Sequence, residues 1–273
     1  MTASISQVLN KFKQFKNLEI LDVEILLAHV LGKNRTYLVT RSDELISSEN
    51  YHEFLRLINL LSQQIPVAYL IGKQEFWSLD FKVNKDTLIP RADTETLVAT
   101  ALDLINHNKY KEILDLGTGS GCIALALASE VPNLKITAVD NSLKALKVAR
   151  ENARNLQIDS VEFIHSNWFE NINNQFDLIV SNPPYVASND HHLTNLSYEP
   201  QSALVSGRDG LDDIKKIIQS SKDFLKPIAH LVIEHGFDQG LRVRQLFHKY
   251  QFTNIKTQLD LAKNERVTIG KVG

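Results

Sequence analysis

The chain has 273 residues, with 30 Lys and Arg against 32 Asp and Glu, 43% hydrophobic residues, 11 Gly, 7 Pro and a single Cys. That length and apolar content exclude disorder and collagen-like repeats and fit one large or two modest globular domains, while a formal charge of −2 excludes a chain-wide electrostatic grip on nucleic acid. One Cys excludes a disulfide framework and a multi-Cys zinc site; the start, MTASISQVLNKFKQFK, lacks the apolar core of a secretion signal, and no apolar run is long enough to cross a bilayer, so a cytoplasmic protein is expected.

Apolar residues at helical spacing open the chain: Ile5, Val8, Leu9 and Phe12, then Leu21, Ile25, Leu26 and Val30, and later Tyr51, Phe54, Leu55, Ile58 and Leu61. With acids and bases nearly balanced, this predicts a small all-α docking domain over residues 1–74. In EFWSLDFKV, Trp77, Leu79, Phe81 and Val83 alternate with polar residues at the period of a half-buried strand, so residues 75–92 should hold a hairpin and linker. A helix at about Thr94 to Asn106 follows. Strand candidates then alternate with helical stretches: EILDLG (112–117), KITAVD (135–140), VEFIHS (161–166), FDLIVSN (176–182) and HLVIEHG (230–236). This is the pattern of a wound α/β sheet, whose right-handed crossovers put helices on both faces and leave ligands outside the carboxyl ends of the strands. TNIKTQLD (253–260) and ERVTIGKV (265–272) have no helix between them, which predicts an antiparallel closing strand.

Two segments carry chemistry. Asp115-Leu-Gly117-Thr118-Gly119-Ser120-Gly121 ends a strand and opens the helix CIALALASEV, so bare backbone can approach a ligand at a helix N-terminus. A dinucleotide fits poorly, because its fingerprint spaces the last glycine differently and Asp115 would face a pyrophosphate. S-adenosylmethionine fits better, being cationic and free of phosphate, with Asp115 able to meet its ammonium directly or through water. Asp140 closes the next strand, where a carboxylate can accept from both ribose hydroxyls or, alternatively, cap the helix near Ser142. Trp168 offers a face for adenine or is an ordinary core aromatic. The second segment is Asn182-Pro183-Pro184-Tyr185 at the end of the fourth strand. Paired prolines stiffen the bend and hold carbonyls outward. The Asn182 side-chain oxygen and the Pro183 carbonyl are then positioned to grip an NH₂ group whose lone pair is delocalised, with Tyr185 packing on the planar group.

Those motifs, with PVAYLIG (66–72), TLIPRADTETLV (87–98), ILDLGTGSGCIALAL (113–127), Glu199-Pro200, ALVSGRDGL (203–211), EHG (234–236) and DLAKNERVTIG (260–270), make the chain resemble the HemK/PrmC family of protein-glutamine methyltransferases along nearly its whole length. The resemblance implies a Rossmann-like class I methyltransferase domain over 93–273 with a mostly parallel sheet and an antiparallel final strand. It implies S-adenosylmethionine as methyl donor, S-adenosylhomocysteine as product and no metal. It also implies a target: the glutamine of the Gly-Gly-Gln loop of class 1 peptide chain release factors, held partly by the helical domain. The expected protein is a monomer without membrane or sequence-specific nucleic acid binding. Asp115, Gly117, Thr118, Gly119, Ser120, Gly121, Asp140, Trp168 and Asn182 are the expected cofactor contacts. Asn182, Pro183, Pro184 and Tyr185 are the expected substrate contacts, and Asn182 and Pro183 the catalytic groups.

Three positions depart from the family pattern: Ala92 for proline, Asn167 for aspartate and Lys263 for glycine. Arg91 and Glu95, four apart, are spaced to pair across a helix start and cover the site. Cys122 reads as a buried helix residue and Glu234-His235 as structural, since methyl transfer from a sulfonium needs no strong base. Two alternatives share these motifs: an adenine amino-methyltransferase, and a binding module that docks a translation factor without catalysis.

Overall fold

The computed structural model describes residues 3–13 and 18–273, and the chain divides into two compact units, residues 1–73 and 74–273. The first contains α1 (Ile5–Phe12), α2 (Ile20–Leu31), α3 (Arg35–Thr40), α4 (Ser48–Ser62) and α5 (Val67–Ile71). Polar residues start the helices where orphan N–H groups need acceptors: Ser4 forms a capping box with Gln7, and Asn34 and Ser47 accept from the first turns of α3 and α4. The core gathers Val8, Phe12, Leu26, Leu27, Phe54 and Leu57, with Phe12 and Phe54 edge to face at 5.3 Å between centroids. Leu21 departs from the expected apolar stripe: it lies in the first turn of α2 and is 46% exposed. Residues 14–17 of the expected helical stretch lie outside the described residues.

A hairpin of β1 (Lys73–Phe76) and β2 (Leu79–Lys82) begins at the boundary residue. Its two-residue turn is Trp77-Ser78, with φ of +52° and +58°, the left-handed geometry that matches strand twist in tight hairpins. Trp77 is therefore a turn residue, and the expected single alternation over Trp77 to Val83 is broken at that point. After a 3-10 turn at Ala92–Thr94 come α6 (Glu95–Asn108), β3 (Glu112–Leu116), α7 (Cys122–Glu130), β4 (Lys135–Asp140), α8 (Leu143–Asn155), β5 (Val161–His165), β6 (Phe176–Ser181), α9 (Asp212–Ser221), β7 (Leu225–Glu234), α10 (Gly240–Lys249), β8 (Thr253–Leu259) and β9 (Glu265–Lys271).

Seven strands form one sheet in the order β5-β4-β3-β6-β7-β9-β8, parallel from β5 to β7. The last strand, β9, runs antiparallel to both β7 and β8 and inserts between them. Alternate strand residues feed two cores. Ile113, Ile136, Leu178 and Val232 pack with residues of α6 and α7, while Leu114, Val139, Ile179 and Leu231 pack with α9 and α10. Cys122 is buried at the head of α7, and burial pushes its thiol up to about 12. Among the described residues, no helix is long and apolar enough to cross a membrane.

Candidate active site

The chain leaves β3 toward β4 and β5, then returns to the other side of β3 as β6. Two neighbouring strands thereby send their following loops in opposite directions, which opens a crevice at their carboxyl ends. The glycine loop follows β3 and the Asn-Pro-Pro-Tyr bend follows β6, so topology alone sets the two motifs side by side. A cavity of about 390 Å³ lies there, and its walls include Gly117, Gly119, Asp140, Trp168, Asn182 and Pro184.

The loop is held by backbone geometry. Gly117 and Thr118 N–H groups donate to the Val139 carbonyl. Gly121 starts α7 at φ +84°, where an added Cβ would meet Leu125 and Ala149 at 3.1 and 3.2 Å. At Gly117 an added Cβ would lie 3.4 Å from the Trp168 ring, so the indole covers the loop where there is no side chain. Trp168 itself has φ +51°, a conformation that costs a bulky residue roughly 1 to 3 kcal/mol and persists where surroundings over-determine it. Asp140 ties the strand end to the loop: one carboxylate oxygen accepts from Gly119 N–H at 2.9 Å and the other from Ser142 N–H at 2.8 Å. The α8 cap is Ser142, whose hydroxyl accepts from Ala145 N–H at 3.1 Å. Asn152, fully buried, joins the hairpin to the loop by donating to the Lys82 and Ser120 carbonyls.

Asp115, Thr118, Ser120 and Gly121 are not on the cavity wall; they build the loop from beneath. Asp115 is fully buried with one oxygen accepting from the Thr118 hydroxyl at 2.7 Å and Oδ1 without a partner. Burial, assisted by the nearby Asp140 charge, raises its carboxyl to about 7. Burial likewise raises Asp140, against the Ser142 and Gly119 N–H groups that stabilise its charge.

The bend is fixed by residues far away in sequence. The Asn182 side-chain NH₂ donates to the Thr94 hydroxyl at 3.1 Å. The Tyr185 hydroxyl donates to Glu234 Oε1 at 3.2 Å, and its carbonyl accepts from the Gln239 side chain at 2.9 Å. Burial and the Glu234 charge hold the Tyr185 phenol well above its ordinary range. Gly210 has φ +75° and passes so close that an added Cβ would lie 2.1 Å from the Tyr185 carbonyl oxygen. Beyond the bend, Val186 and Ser188 N–H groups donate to the Leu204 and Gly207 carbonyls, laying the chain against the Ala203–Leu211 stretch. Pro183 is buried in the bend, and Tyr185 packs with the α9 and α10 core.

Arg91 and Glu95 do not pair with each other, because the 3-10 turn between them takes them off a common α-helical face. Arg91 instead pairs with Glu199, which is buried and also accepts from Ile89 N–H at 3.0 Å; Glu95 accepts from Trp77 N–H at 2.9 Å. Ala92 begins that 3-10 turn, and Asn167 lines the cavity while donating to Glu170 at 2.7 Å. Lys263 has φ +65°, a conformation that favours the glycine of the family pattern. Asn152 and Gln239 carry no role in the sequence reading, and Thr94 enters it only as the start of a helix inside TLIPRADTETLV (87–98); Gln239 lies three residues beyond EHG.

The donor set fits S-adenosylmethionine. Each Asp140 oxygen keeps a lone pair for a ribose hydroxyl, Trp168 gives a flat apolar face, and bare backbone at Gly117 and Gly119 admits close approach. The fully buried Asp115 carboxyl beneath the loop favours a cation over a phosphate.

The family model of the methyltransferase small domain matches residues 93–207, and that of the PrmC N-terminal domain matches residues 5–72. The chain is 43% identical to the release factor glutamine methyltransferase of Aliivibrio fischeri over 99% of its own length and 98% of the relative's. It is 46% identical to the protein of that name from Buchnera aphidicola subsp. Schizaphis graminum, over 92% of its own length and 91% of the relative's. Among solved structures, a methyltransferase from Pyrococcus furiosus superposes with a TM-score of 0.53 at 16% identity, over 80% of this chain and 98% of that one. That likeness carries the fold.

Proposed function

The chain belongs to the release factor glutamine methyltransferase family, and from that premise we infer that it methylates the side-chain amide nitrogen of the glutamine in the Gly-Gly-Gln motif of class 1 peptide chain release factors, in the cytoplasm. S-adenosylmethionine, when bound, supplies the electrophilic methyl carbon. Gly117, Gly119, Asp140 and Trp168 hold it against the loop, and Asp115, Thr118, Ser120 and Gly121 keep that loop in shape.

An amide nitrogen is a weak nucleophile because its lone pair is shared with the carbonyl. The Asn182 side-chain oxygen and the Pro183 carbonyl accept from its two hydrogens, which fixes its direction of attack and stabilises the positive charge that grows on it. Pro184 and Tyr185 stiffen and flank the bend, and the helical unit docks the release factor. The observation that carries the reading is the placement of Asn182 and Asp140 on the walls of one cavity at the switch point. A tritiated-methyl transfer assay with release factor, free glutamine and adenine-containing DNA tests it. Label is expected in the release factor alone, and label in DNA would favour the amino-methylase reading.

A further inference from the structure

We propose that Glu170 is a positioning residue: it holds the Asn167 amide with its oxygen toward the cavity, where that oxygen accepts from the exocyclic amine of the donor's adenine and selects adenine over hypoxanthine. This rests on the S-adenosylmethionine reading above and deepens it at the base.

The sheet sets the direction in which the donor lies. Its strands run β5-β4-β3-β6 across the crevice, with neighbours about 4.8 Å apart. The acceptor bend follows β6, the glycine loop follows β3, and Asp140 ends β4. A donor with its methyl toward the bend and its ribose on Asp140 therefore carries its base to the turn after β5, and Ser166, Asn167 and Trp168 of that turn line the cavity with Asn141. Little there is committed to reading the edge of a base. The Ser166 hydroxyl is spent inside the turn, donating to the Trp168 carbonyl at 2.9 Å and accepting from Asn171 N–H at 3.0 Å. Trp168 offers a face. The hydrogen bond that Asn141 takes from His165 is to its backbone carbonyl, so either end of its side-chain amide can turn to a ligand and it imposes no preference.

Asn167 differs. Glu170 N–H donates to the Asn167 carbonyl at 3.2 Å, which closes the turn, and the Asn167 side-chain NH₂ donates to Glu170 Oε1 at 2.7 Å. Glu170 is exposed, and a carboxylate accepts without donating. The NH₂ end of Asn167 is thereby taken, and the oxygen is the end left for the base. Adenine presents an amine where hypoxanthine presents a carbonyl, so this oxygen bonds the first and repels the second. An aspartate at 167, as in the family pattern, would accept equally, but beside Glu170 it would set two carboxylates within hydrogen-bond distance. Asparagine keeps the acceptor and avoids that repulsion, which accounts for the departure at this position.

Calorimetry with S-adenosylhomocysteine and S-inosylhomocysteine tests this without turnover. Wild type should bind the adenosyl compound at least about fivefold more tightly. Glu170→Gln and Glu170→Ala, both at an exposed side chain, release the Asn167 amide to turn its NH₂ to the base, so the ratio should fall below about twofold, chiefly through tighter binding of the inosyl compound. A merely structural role for Glu170 would weaken both compounds alike and leave the ratio unchanged. Asn167→Asp alone should weaken S-adenosylhomocysteine at least about threefold, and adding Glu170→Gln should recover the wild-type affinity. A wild-type ratio below fivefold, a ratio that both Glu170 variants leave unchanged, or no recovery in the double variant overturns the proposal. If S-adenosylhomocysteine binds without such selectivity, this inference alone falls; if neither compound binds wild type, the donor reading falls with it.

Discussion

The two halves of the crevice are built by different means. The glycine loop and Asp140 come from one βαβ stretch, and their shape is written in backbone N–H groups and missing side chains, with Gly119 and Asp140 only 21 positions apart. The Asn182–Tyr185 bend draws on four separate segments: Thr94 before α6, Gly210 before α9, Glu234 at the end of β7 and Gln239 before α10. The cradle is mostly backbone, held from afar by Asn152 and covered by Trp168. The bend, in contrast, depends on side chains whose loss leaves buried polar groups unpaired. Substitutions in the first half should therefore act on donor affinity, and substitutions in the second on turnover.

The largest effect separates the halves on the substrate side. Asn182→Ala should cost about 2 to 4 kcal/mol of transition-state stabilisation, the range for losing one preorganised polar group at a reacting centre. It would be measured as kcat/KM for release-factor methylation, and turnover within twofold of wild type would remove Asn182 from its role. The cofactor half answers with Asp140→Ala, expected to weaken S-adenosylmethionine by about 1.5 to 3 kcal/mol, as for hydrogen bonds to a charged group. Calorimetry showing equal affinity would detach Asp140 from the ligand.

The next prediction concerns what the bend costs the fold. Burial raises the Glu234 carboxyl from 4.5 to about 7, against the pull of Thr94, Arg266 and Tyr185. Below pH 4.5 the group is protonated whether folded or unfolded. As pH rises from 4.5 toward 7, the unfolded chain ionises first, so stability falls, and the full cost is present above 7. Glu234→Gln removes this titration, so its stability relative to wild type should improve by about 2 kcal/mol between pH 5 and pH 8. Denaturant melts at the two pH values measure it, and an unchanged difference would mean that Glu234 is ionised in the fold throughout.

The smallest effect lies outside both halves. Lys263→Gly relieves a left-handed lysine but adds freedom to the unfolded chain, so a gain of at most about 1 kcal/mol is expected, read from the same melts. A loss would show that Lys263 makes a contact worth more than its strain.

The same contrast decides what could be read from the chain. The glycine loop, Asp140, the strands and the bend itself were legible because each is a short run with its own periodicity or turn chemistry. The supports of the bend were not. Thr94 and Asn182 are 88 positions apart and Tyr185 and Glu234 are 49 apart, and nothing local marks such partners. Thr94 looks like an ordinary helix cap, and Glu234 like a residue closing a strand. The expected Arg91–Glu95 pair failed for a related reason: four-residue spacing implies proximity only where an α-helix is continuous, and a 3-10 turn interrupts it. Trp77, whose alternation suggested a strand, sits in the turn of a hairpin too tight for periodicity to resolve.

The central claim is that the bend presents a release-factor glutamine to the methyl donor. Mass spectrometry of the Gly-Gly-Gln peptide, after incubation of purified release factor with S-adenosylmethionine and either wild-type or Asn182→Ala enzyme, tests it most directly. A single added methyl on the glutamine side chain with wild type, and its near absence with the variant, is the expected result. An unmodified glutamine with wild type, or equal methylation by both enzymes, would contradict it.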